Sequence, residues 1–305
     1  MGRFVLRRLL GLIPTLLLIV VVSFLVIRLA PGSPFSSEKA VTPQVLMELK
    51  AKYGFDQPMI LQLLGYMGRL AMGDLGLSTR YAGRSVNEII AAGLPATLLL
   101  GLFALAWALL LGVGAGIIGA VRQNTKWDHA FMGLAMVGIS VPSFVLGPIL
   151  ILVFSLTLFW FPPAGWGTLR HVVLPAVTLG TLYAAYVARL MRAGLLEVLR
   201  SDFIRTAHAK GLSERVIVFR HALKGGILPV VTFLGPAIAN LLVGSVVVEK
   251  IFSTPGIGPY FVDAAFNRDY FLVMGVVLLY SVLLLGMNLL VDVAYAFLDP
   301  RIRYE

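Results

Sequence analysis

The sequence contains 305 residues, of which 59% are hydrophobic and only 13% are charged, against roughly 25% charged residues in soluble domains. A water-soluble core could not bury this much apolar surface, so the composition predicts an all-α protein embedded in the lipid bilayer. No cysteine is present, which excludes a disulfide framework, a thiolate nucleophile and a cysteine-based metal site. The net charge of +10 would suggest nucleic-acid binding in a soluble protein, but in a membrane protein it reports orientation.

Six apolar stretches are candidates for membrane spans, since a helix needs about 20 apolar residues to cross the hydrocarbon. The first, residues 9–29, follows a basic start and therefore has the outline of a signal peptide. Its apolar run exceeds the roughly 7–15 residues of a signal peptide, so we expect a retained span. The other stretches lie near 94–120, 130–158, 171–191, 228–248 and 272–297. Six transmembrane helices are therefore predicted.

Small and polar residues predict how two of these helices pack. Gly112, Gly116 and Gly119 recur at spacings of four and three in the second stretch, and small residues so spaced let two membrane helices approach closely. The fourth stretch is diluted by Thr, Tyr and Pro175. Its helix is expected in the protein interior, where polar groups find partners.

The distribution of basic residues predicts the orientation. With the N-terminus inside, the cytoplasmic segments hold 15 Lys and Arg against six acidic residues, while the outer segments hold nine against eight. Because cytoplasmic loops carry the excess of Lys and Arg, both termini are predicted to be cytoplasmic. The predicted division is residues 1–30 with the first transmembrane helix, an extracytoplasmic loop over 31–93, a five-helix core over 94–297 that includes a cytoplasmic region at 192–227, and a cytoplasmic tail over 298–305.

The stretch "FIRTAHAKGLSERVIVFRHALK", residues 203–224, is unusually basic for so apolar a chain. Asp202 is a suitable N-cap for a helix over about 203–210, and Gly211 is a suitable residue just past its end. Ser213 can begin a second helix that runs to about Lys224. The second helix would carry an apolar stripe at Leu212, Val216, Phe219 and Leu223.

Three interpretations of this helical pair are open. It could be an amphipathic loop that lies on anionic lipid. It could be a DNA-binding helix-turn-helix, which its attachment to membrane spans at both ends disfavours, so we expect no nucleic acid. The third interpretation is a docking element for a cytoplasmic partner.

The same stretch resembles the cytoplasmic signature loop in the membrane subunits of ATP-binding-cassette (ABC) importers. That loop carries Glu-Ala-Ala and then a glycine four residues after the last alanine; the aligned residues here are Arg205, Thr206, Ala207 and Gly211. Only the last alanine and the glycine agree, but "FIRTAHAKGL" and "RHALK" are similar to the variant found in peptide and nickel importer permeases. The similarity extends to "RRLLGLIPTLL", "RLAPGSP", "QNTKWDHAFMGLAMVGISVPSF", "VEKIFSTPGIGPYFVDAAFNRDY" and "VDVAYAFLDPRIRY". The chain most resembles the B-type membrane subunits of oligopeptide permeases.

The resemblance implies the fold, the location and the partners. It implies the type I ABC importer permease architecture and a multi-pass protein of the bacterial inner membrane. A second six-span permease subunit would complete the pathway as a heterodimer, two cytoplasmic ABC ATPases would supply the energy, and an extracytoplasmic binding protein would deliver the peptide. The implied ATPase-coupling residues are Arg205, Thr206, Ala207, Lys210, Gly211, Leu212, Arg215, Arg220 and His221.

The chain itself is not expected to bind ATP or to catalyse a reaction. A phosphate-binding loop needs Gly-x-x-x-x-Gly-Lys-Ser/Thr, and the pair Gly-Lys occurs nowhere. No cofactor, metal or catalytic residue is therefore predicted here; ATP and Mg²⁺ would be bound by the partner ATPases. The main rival is an ion-gradient-driven carrier, whose mid-span ionisable residue could only be Asp292. An intramembrane protease is disfavoured, since neither Gly-x-Ser-Gly nor His-Glu-x-x-His is present.

Substrate choice is weakly encoded in the sequence. Polar residues within spans that could line the pathway are Ser140, Ser143, Tyr183, Tyr186 and Asn240; helix–helix hydrogen bonding is the alternative role for each. The outer loop contains "KYGFDQP" and "MGDLGLS", a pattern that predicts an ordered cap. Together with residues 249–271 and their "PGIGP" turn, this loop is expected to form the docking surface for the binding protein. Import of dipeptides, nickel or glutathione remains open.

Overall fold

A computed structural model describes residues 2–32, 34–35, 42–243 and 246–298. Within these ranges the regular structure is helical, apart from one isolated antiparallel bridge between Leu77 and Ser85, so the predicted all-α fold is confirmed. The helices are α1 (Gly2–Leu29), α2 (Pro43–Lys52), α3 (Met59–Ala71), α4 (Val86–Val121), α5 (Lys126–Ser140), α6 (Ser143–Leu150), α7 (Leu169–Leu199), α8 (Asp202–Ala209), α9 (Glu214–Val216), α10 (Leu223–Gly226), α11 (Leu228–Val243), α12 (Val246–Ile251), α13 (Ile257–Phe266) and α14 (Tyr270–Leu298). Two π-helical segments, Ile151–Thr157 and Ile217–Ala222, continue α6 and join α9 to α10.

Four helices of the described part are long and apolar enough to cross a membrane: Arg7–Leu29, Val86–Val121, Leu169–Leu199 and Tyr270–Val293. Two bent pairs pass the same test together, Lys126–Ser140 with Ser143–Thr157 and Glu214–Gly226 with Leu228–Leu241. If each bent pair counts as one span, the total is six. The chain is therefore a multi-pass membrane protein, while the count of six and the side of the termini stay predictions.

The third predicted span, 130–158, is not one straight helix. α5 and α6 meet at an angle of 109°. The break falls at Val141 and Pro142, where Val141 is extended with φ −88° and ψ 115°. Proline disfavours the helical conformation of the residue before it, which explains why α5 ends there.

Two compact units divide the chain: residues 1–97 with 255–285, and residues 98–254 with 286–305. This division follows internal packing. The predicted division into loop, core and tail instead follows the position of each segment relative to the membrane, and it stays a prediction.

The outer-loop residues of the first unit are ordered by a buried carboxylate. Asp269 is fully buried and caps α14, since its Oδ1 accepts the Leu272 backbone N–H at 3.2 Å. Its Oδ2 accepts the Ser78 hydroxyl and the Arg80 backbone N–H. The "MGDLGLS" segment is thus fixed to the start of α14, while the predicted extracytoplasmic cap stays a prediction.

The "PGIGP" turn is seated directly on the start of α4. A Cβ atom added at Gly93 would lie 3.1 Å from the Gly256 backbone, so the two backbones are in close contact. Thr97 Oγ1 accepts the Ile257 backbone N–H at 2.9 Å. The turn is therefore held to α4 by both packing and a buried hydrogen bond.

In the second unit, α4 packs against α7 through the predicted glycines. A Cβ atom at Gly112 would lie 2.6 Å from the Ala184 carbonyl oxygen, and one at Gly116 would lie 2.5 Å from Met191 Cβ and 2.7 Å from the Ala188 carbonyl oxygen. The predicted close approach is confirmed. Only glycine fits, because the obstacles include backbone atoms that cannot rotate away.

We expect Gly116→Ala to destabilise the protein, because overpacking costs about 1–3 kcal/mol. Gly114→Ala is the matched control, since a Cβ atom at Gly114 meets nothing within 4 Å. The measurement is the thermal unfolding midpoint of each variant in detergent, followed by size-exclusion chromatography. Equal midpoints for the two alanine variants would contradict the packing role of Gly116.

Candidate functional site

The basic stretch forms two short helical pieces joined by a turn, which we call the basic knob (residues 202–226). The first piece is α8, and the second combines α9, the π segment and α10 over Glu214–Gly226. The predicted boundaries are close to these, but α8 begins at Asp202 and its N-cap position is Ser201. The Ser201 hydroxyl does not cap the helix, because it donates to the Val198 carbonyl at 2.6 Å.

Gly211 makes the turn between the two pieces. Its φ of +75° lies in the left-handed region, which favours glycine. The Gly211 N–H donates to the His208 carbonyl at 2.9 Å, and the Leu212 N–H donates to the Ala207 carbonyl at 3.3 Å. These two bonds are those of a Schellman motif, which satisfies the last carbonyls of α8. The predicted place of Gly211 just past the helix end is confirmed.

The knob is attached to α7 by its apolar side. Met191 and Leu195 of α7 are fully buried and belong to one hydrophobic cluster with residues of the knob. The knob residues of this cluster are Ile204, Ala207, Ile217, Val218 and Ala222. Each large apolar side chain buried in this way stabilises the arrangement by about 1.5–3 kcal/mol, so the knob is held as a rigid extension of α7.

The predicted apolar stripe is not the side that packs. Leu212, Val216 and Phe219 are exposed, and Leu223 is only partly buried. Ile217, Val218 and Ala222 of the π segment are buried instead.

The residues aligned with the ABC signature loop take different positions in the knob. Arg205 pairs with Asp202 at 3.0 Å, and both side chains are exposed. Thr206 is also exposed, and its hydroxyl donates to the Asp202 carbonyl at 3.1 Å. Ala207 is buried in the cluster with α7. Ala207 therefore anchors the knob, whereas Arg205 and Thr206 remain accessible to a partner.

The accessible side of the knob is basic and apolar. The exposed candidates are Lys210, Gly211, Leu212, Arg215 and Arg220, and His221 is half-buried. His208 Nδ1 lies 3.5 Å from Glu214 Oε1 across the turn. Phe203, which the sequence analysis did not single out, and Phe219 of the predicted stripe are 54% and 56% exposed. Large exposed apolar side chains beside positive charges are typical of a protein-binding surface.

An apolar recess of about 410 Å³ adjoins the second piece of the knob. It lies between the end of α4, the start of α5 and Phe219. Its apolar lining includes Ile117, Val121, Trp127, Phe131 and Phe219. The sequence signal that could have found it is the pair Trp127 and Phe131, which lie one helical turn apart and stack with ring centroids 6.3 Å apart.

A buried ion pair joins the start of α5 to α7 just before the knob. Arg192 donates from Nε and Nη2 to the two carboxylate oxygens of Asp128, both at 2.7 Å. The Asp128 side chain is only 4% exposed, and its Oδ2 also accepts the Asn124 N–H at 2.9 Å. The bidentate geometry makes this a strong, directional contact. Sequence reasoning had counted Asp128 only as one of the acidic residues of a loop.

The pathway candidates are not grouped at one point. Tyr183 and Tyr186 of α7 share a neighbour, since their rings lie 6.4 and 5.6 Å from the ring of Phe233. Ser140 and Ser143 flank the break between α5 and α6, where the Ser140 hydroxyl donates to the Met136 carbonyl at 2.8 Å. Asn240 is exposed on α11. The pathway role of these five residues stays a prediction.

Two further expectations concern ionisable groups. Asp292 is partly buried and interacts with another group of the structure.

Among the residues that the structure describes, no group of three or more His, Asp or Glu side chains could hold a metal ion. The absence of a cofactor stays a prediction.

Comparison with known proteins assigns the family. A family model described as "Binding-protein-dependent transport system inner membrane component" matches residues 109–304, and a model of the N-terminal part of such components matches residues 1–100. The chain belongs to this family. It is 48% identical to the oligopeptide transport system permease protein OppB of Salmonella typhimurium over all of both chains. It is 42% identical to the dipeptide transport system permease protein DppB of Bacillus subtilis, over 99% of this chain and 98% of that protein, and 42% identical to the glutathione transport system permease protein GsiC of Escherichia coli over all of both chains.

Two solved transporter structures share the fold. A chain of the MetNI methionine ABC transporter, solved in inward-facing conformations, matches with a TM-score of 0.57 and 17% identity, over 69% of this chain and 96% of that chain. A chain of an amino acid ABC transporter solved with histidines matches with a TM-score of 0.53 and 17% identity, over 68% and 93%. The predicted ABC importer permease architecture is thereby confirmed.

Breaking the Arg192–Asp128 pair is expected to destabilise the protein strongly. Arg192→Ala leaves the Asp128 carboxylate buried without its partner, at a cost of about 3 kcal/mol, and Arg192→Lys restores little because lysine cannot make the bidentate contact. The cycle consists of Asp128→Asn, Arg192→Gln and the double variant Asp128→Asn/Arg192→Gln, which is expected to recover part of the loss. Thermal unfolding midpoints of the single and double variants measure the coupling.

Arg205→Ala is the matched control for this cycle. Its pair with Asp202 is exposed on both sides, and such pairs contribute little to stability. If the losses of stability from the Asp128 and Arg192 substitutions were additive, the ion pair between these residues would not stabilise the protein.

Proposed function

We propose that the chain is the membrane permease subunit of an ATP-driven ABC importer of peptides in the bacterial inner membrane. A second six-span permease subunit would complete the pathway, two cytoplasmic ABC ATPases would hydrolyse ATP, and an extracytoplasmic binding protein would deliver the substrate. The chain itself would be non-catalytic. Oligopeptides are the favoured substrate, because the full-length identity to oligopeptide permeases, 45–48%, exceeds the 42% to the dipeptide and glutathione permeases.

The observation that carries the mechanism is the rigid attachment of the basic knob to α7. Ile204 and Ala207 of α8 belong to the same buried cluster as Met191 and Leu195 of α7. A helix follows the knob as well, since α11 begins at Leu228. A load applied to the exposed side of the knob would therefore move α7 and α11 as rigid bodies, which is a common form of conformational switch.

The exposed residues of the knob suit an ATPase surface. Arg205, Arg215 and Arg220 would pair with acidic groups of a groove on the ATPase, and Leu212 and Phe219 would fill its apolar floor. Buried aromatic and arginine anchors supply most of the binding energy in protein interfaces. Gly211 would fix the direction in which these side chains project.

The outer face of the first unit suits the binding protein. The "MGDLGLS" segment is fixed to α14 through Asp269, and the "PGIGP" turn is fixed to α4 through Thr97. A rigid surface loses little conformational entropy when a partner docks.

The energy source separates this proposal from an ion-gradient carrier. The test uses proteoliposomes that contain the chain with its partner subunits. We expect peptide uptake only when ATP is on the side of the ATPases and the binding protein is on the opposite side of the membrane. A proton or sodium gradient alone should drive no uptake. Gradient-driven uptake by the purified chain without ATPases would overturn the proposal.

Substitutions at Gly211 test the coupling role of the knob. Gly211→Val forces a β-branched residue into the left-handed region at a cost of about 1–2 kcal/mol, which lowers the population of the native turn about 5–30-fold. Gly211→Pro is expected to be worse, because proline cannot adopt a φ of +75° and removes the N–H that bonds His208. ATP hydrolysis and peptide uptake are measured in the same proteoliposomes, and both variants should lose uptake per ATP hydrolysed.

Gly211→Asn is the matched control, because asparagine tolerates the left-handed region and a Cβ atom at Gly211 meets nothing within 4 Å. Uptake near the wild-type level is expected for this variant. Equal uptake per ATP hydrolysed in the asparagine and valine variants would show that the conformation of this turn does not affect coupling to the ATPase.

A further inference from the structure

A cavity of about 200 Å³ lies within the first unit, away from the knob. It is enclosed by the end of α1, the segment between α2 and α3, α3 itself and the start of α14. The lining residues that matter here are Arg28, Lys52, Phe55, Gln62, Arg69 and Tyr270. Neither the family assignment nor the transport mechanism assigns a role to this cavity.

The cavity is lined by three cations, and none of the described residues that line it is acidic. Arg28 Nη2 and Arg69 Nε are buried and have no hydrogen-bond partner among the described residues. A buried donor on a charged group without an acceptor costs free energy. Two such donors at one cavity therefore indicate that an anionic acceptor completes the site.

Aromatic rings hold the two guanidinium groups in place. Arg28 Cζ lies 4.3 Å from the ring centroid of Phe55 and 5.2 Å from that of Tyr270. Arg69 Cζ lies 5.2 Å from the ring centroid of Phe271. The cation–π contacts orient the planar groups while leaving N–H donors for a ligand, so the cationic lining is preorganised.

The position of the cavity along the spans points to the headgroup layer of the membrane. The first apolar span ends at Leu29, one residue after Arg28, and the last one begins at Tyr270. The ends of both spans therefore meet at the cavity, and tyrosine, such as Tyr270, is enriched where spans reach the membrane interface.

α3 has the character of a helix that lies in the membrane interface. It has 13 residues and is too short to span the hydrocarbon. Its exposed apolar residues include Met59, Ile60, Leu61 and Leu64, of which Leu61 also lines the cavity. An amphipathic helix of this kind places its apolar side against acyl chains.

We propose that this cavity binds the headgroup phosphate of an anionic phospholipid whose acyl chains lie along α1 and α3. The phosphate would accept hydrogen bonds from Arg28 and Arg69, and Lys52 would add a third positive charge. A peptide is the less suitable occupant, because the cavity is smaller than the roughly 300–1,000 Å³ of sites that enclose drug-sized ligands.

The test compares lipid binding by charge-matched double variants of the full-length chain. Each protein is extracted in mild detergent and delipidated, and bound lipid is counted by native mass spectrometry during titration with phosphatidylglycerol or phosphatidylcholine. The wild type should bind phosphatidylglycerol tightly, and Arg28→Gln/Arg69→Gln should lower this affinity at least about tenfold, because each charge-assisted hydrogen bond lost is worth roughly one decade. Phosphatidylcholine should bind more weakly than phosphatidylglycerol to the wild type.

The matched control is Arg80→Gln/Arg84→Gln, which removes the same charge from the same unit but from residues that do not line the cavity. This control should bind lipid like the wild type. Arg28→Lys/Arg69→Lys keeps the charge and should retain an intermediate affinity for phosphatidylglycerol. This result would show that the glutamine variant loses affinity because it lacks the charges and not because it is misfolded. Equal phosphatidylglycerol affinity in both glutamine double variants would overturn the proposal. Binding of inorganic phosphate that depends on Arg28 and Arg69, without binding of lipid, would also overturn it and assign the site to a free anion.

Discussion

The packing of α7 is the constraint on which the second unit depends. In lipid, helices gain no hydrophobic driving force from meeting one another, so close backbone contact and buried polar pairs must hold them together. α7 uses both: Gly116 of α4 meets the Ala188 backbone, and Arg192 clamps Asp128 of α5. Its last turns then receive the apolar side of the knob at Leu195. One helix therefore sets the position of two neighbouring helices and of the docking surface.

The knob separates anchoring from recognition within a few residues. Ala207 is buried in the cluster that joins the knob to α7, whereas Arg205 two residues earlier is exposed and forms only a surface pair. The π segment strengthens this separation, because it turns Ile217, Val218 and Ala222 inward and leaves Phe219 and Arg220 outside. A partner can thus be recognised by exposed side chains without disturbing the contacts that transmit its movement.

Local features of this structure could be read from the sequence, and long-range ones could not. Gly211 and the glycines of α4 were predictable, since a left-handed turn and a close helix contact each demand glycine at a defined spacing. The π segment was missed because its apolar spacing also fits an ordinary α-helix. Asp128 and Arg192 are 64 residues apart, and no local pattern pairs them.

The arginines show why a net charge of +10 has to be resolved into individual environments. Arg192 is paired with a buried carboxylate and stabilises the fold, and Arg205 has only an exposed partner. Arg28 and Arg69 present buried donors to a cavity with no acidic lining residue among those described. The net charge counts each of the four as one positive charge. The four arginines nevertheless differ in burial and hydrogen bonding. A desolvated guanidinium needs a hydrogen-bond acceptor from the protein or a ligand, whereas an exposed guanidinium is hydrogen-bonded by water. The same residue type therefore occurs in one chain as a partner of a buried carboxylate, as an exposed surface residue and in the lining of a cationic cavity.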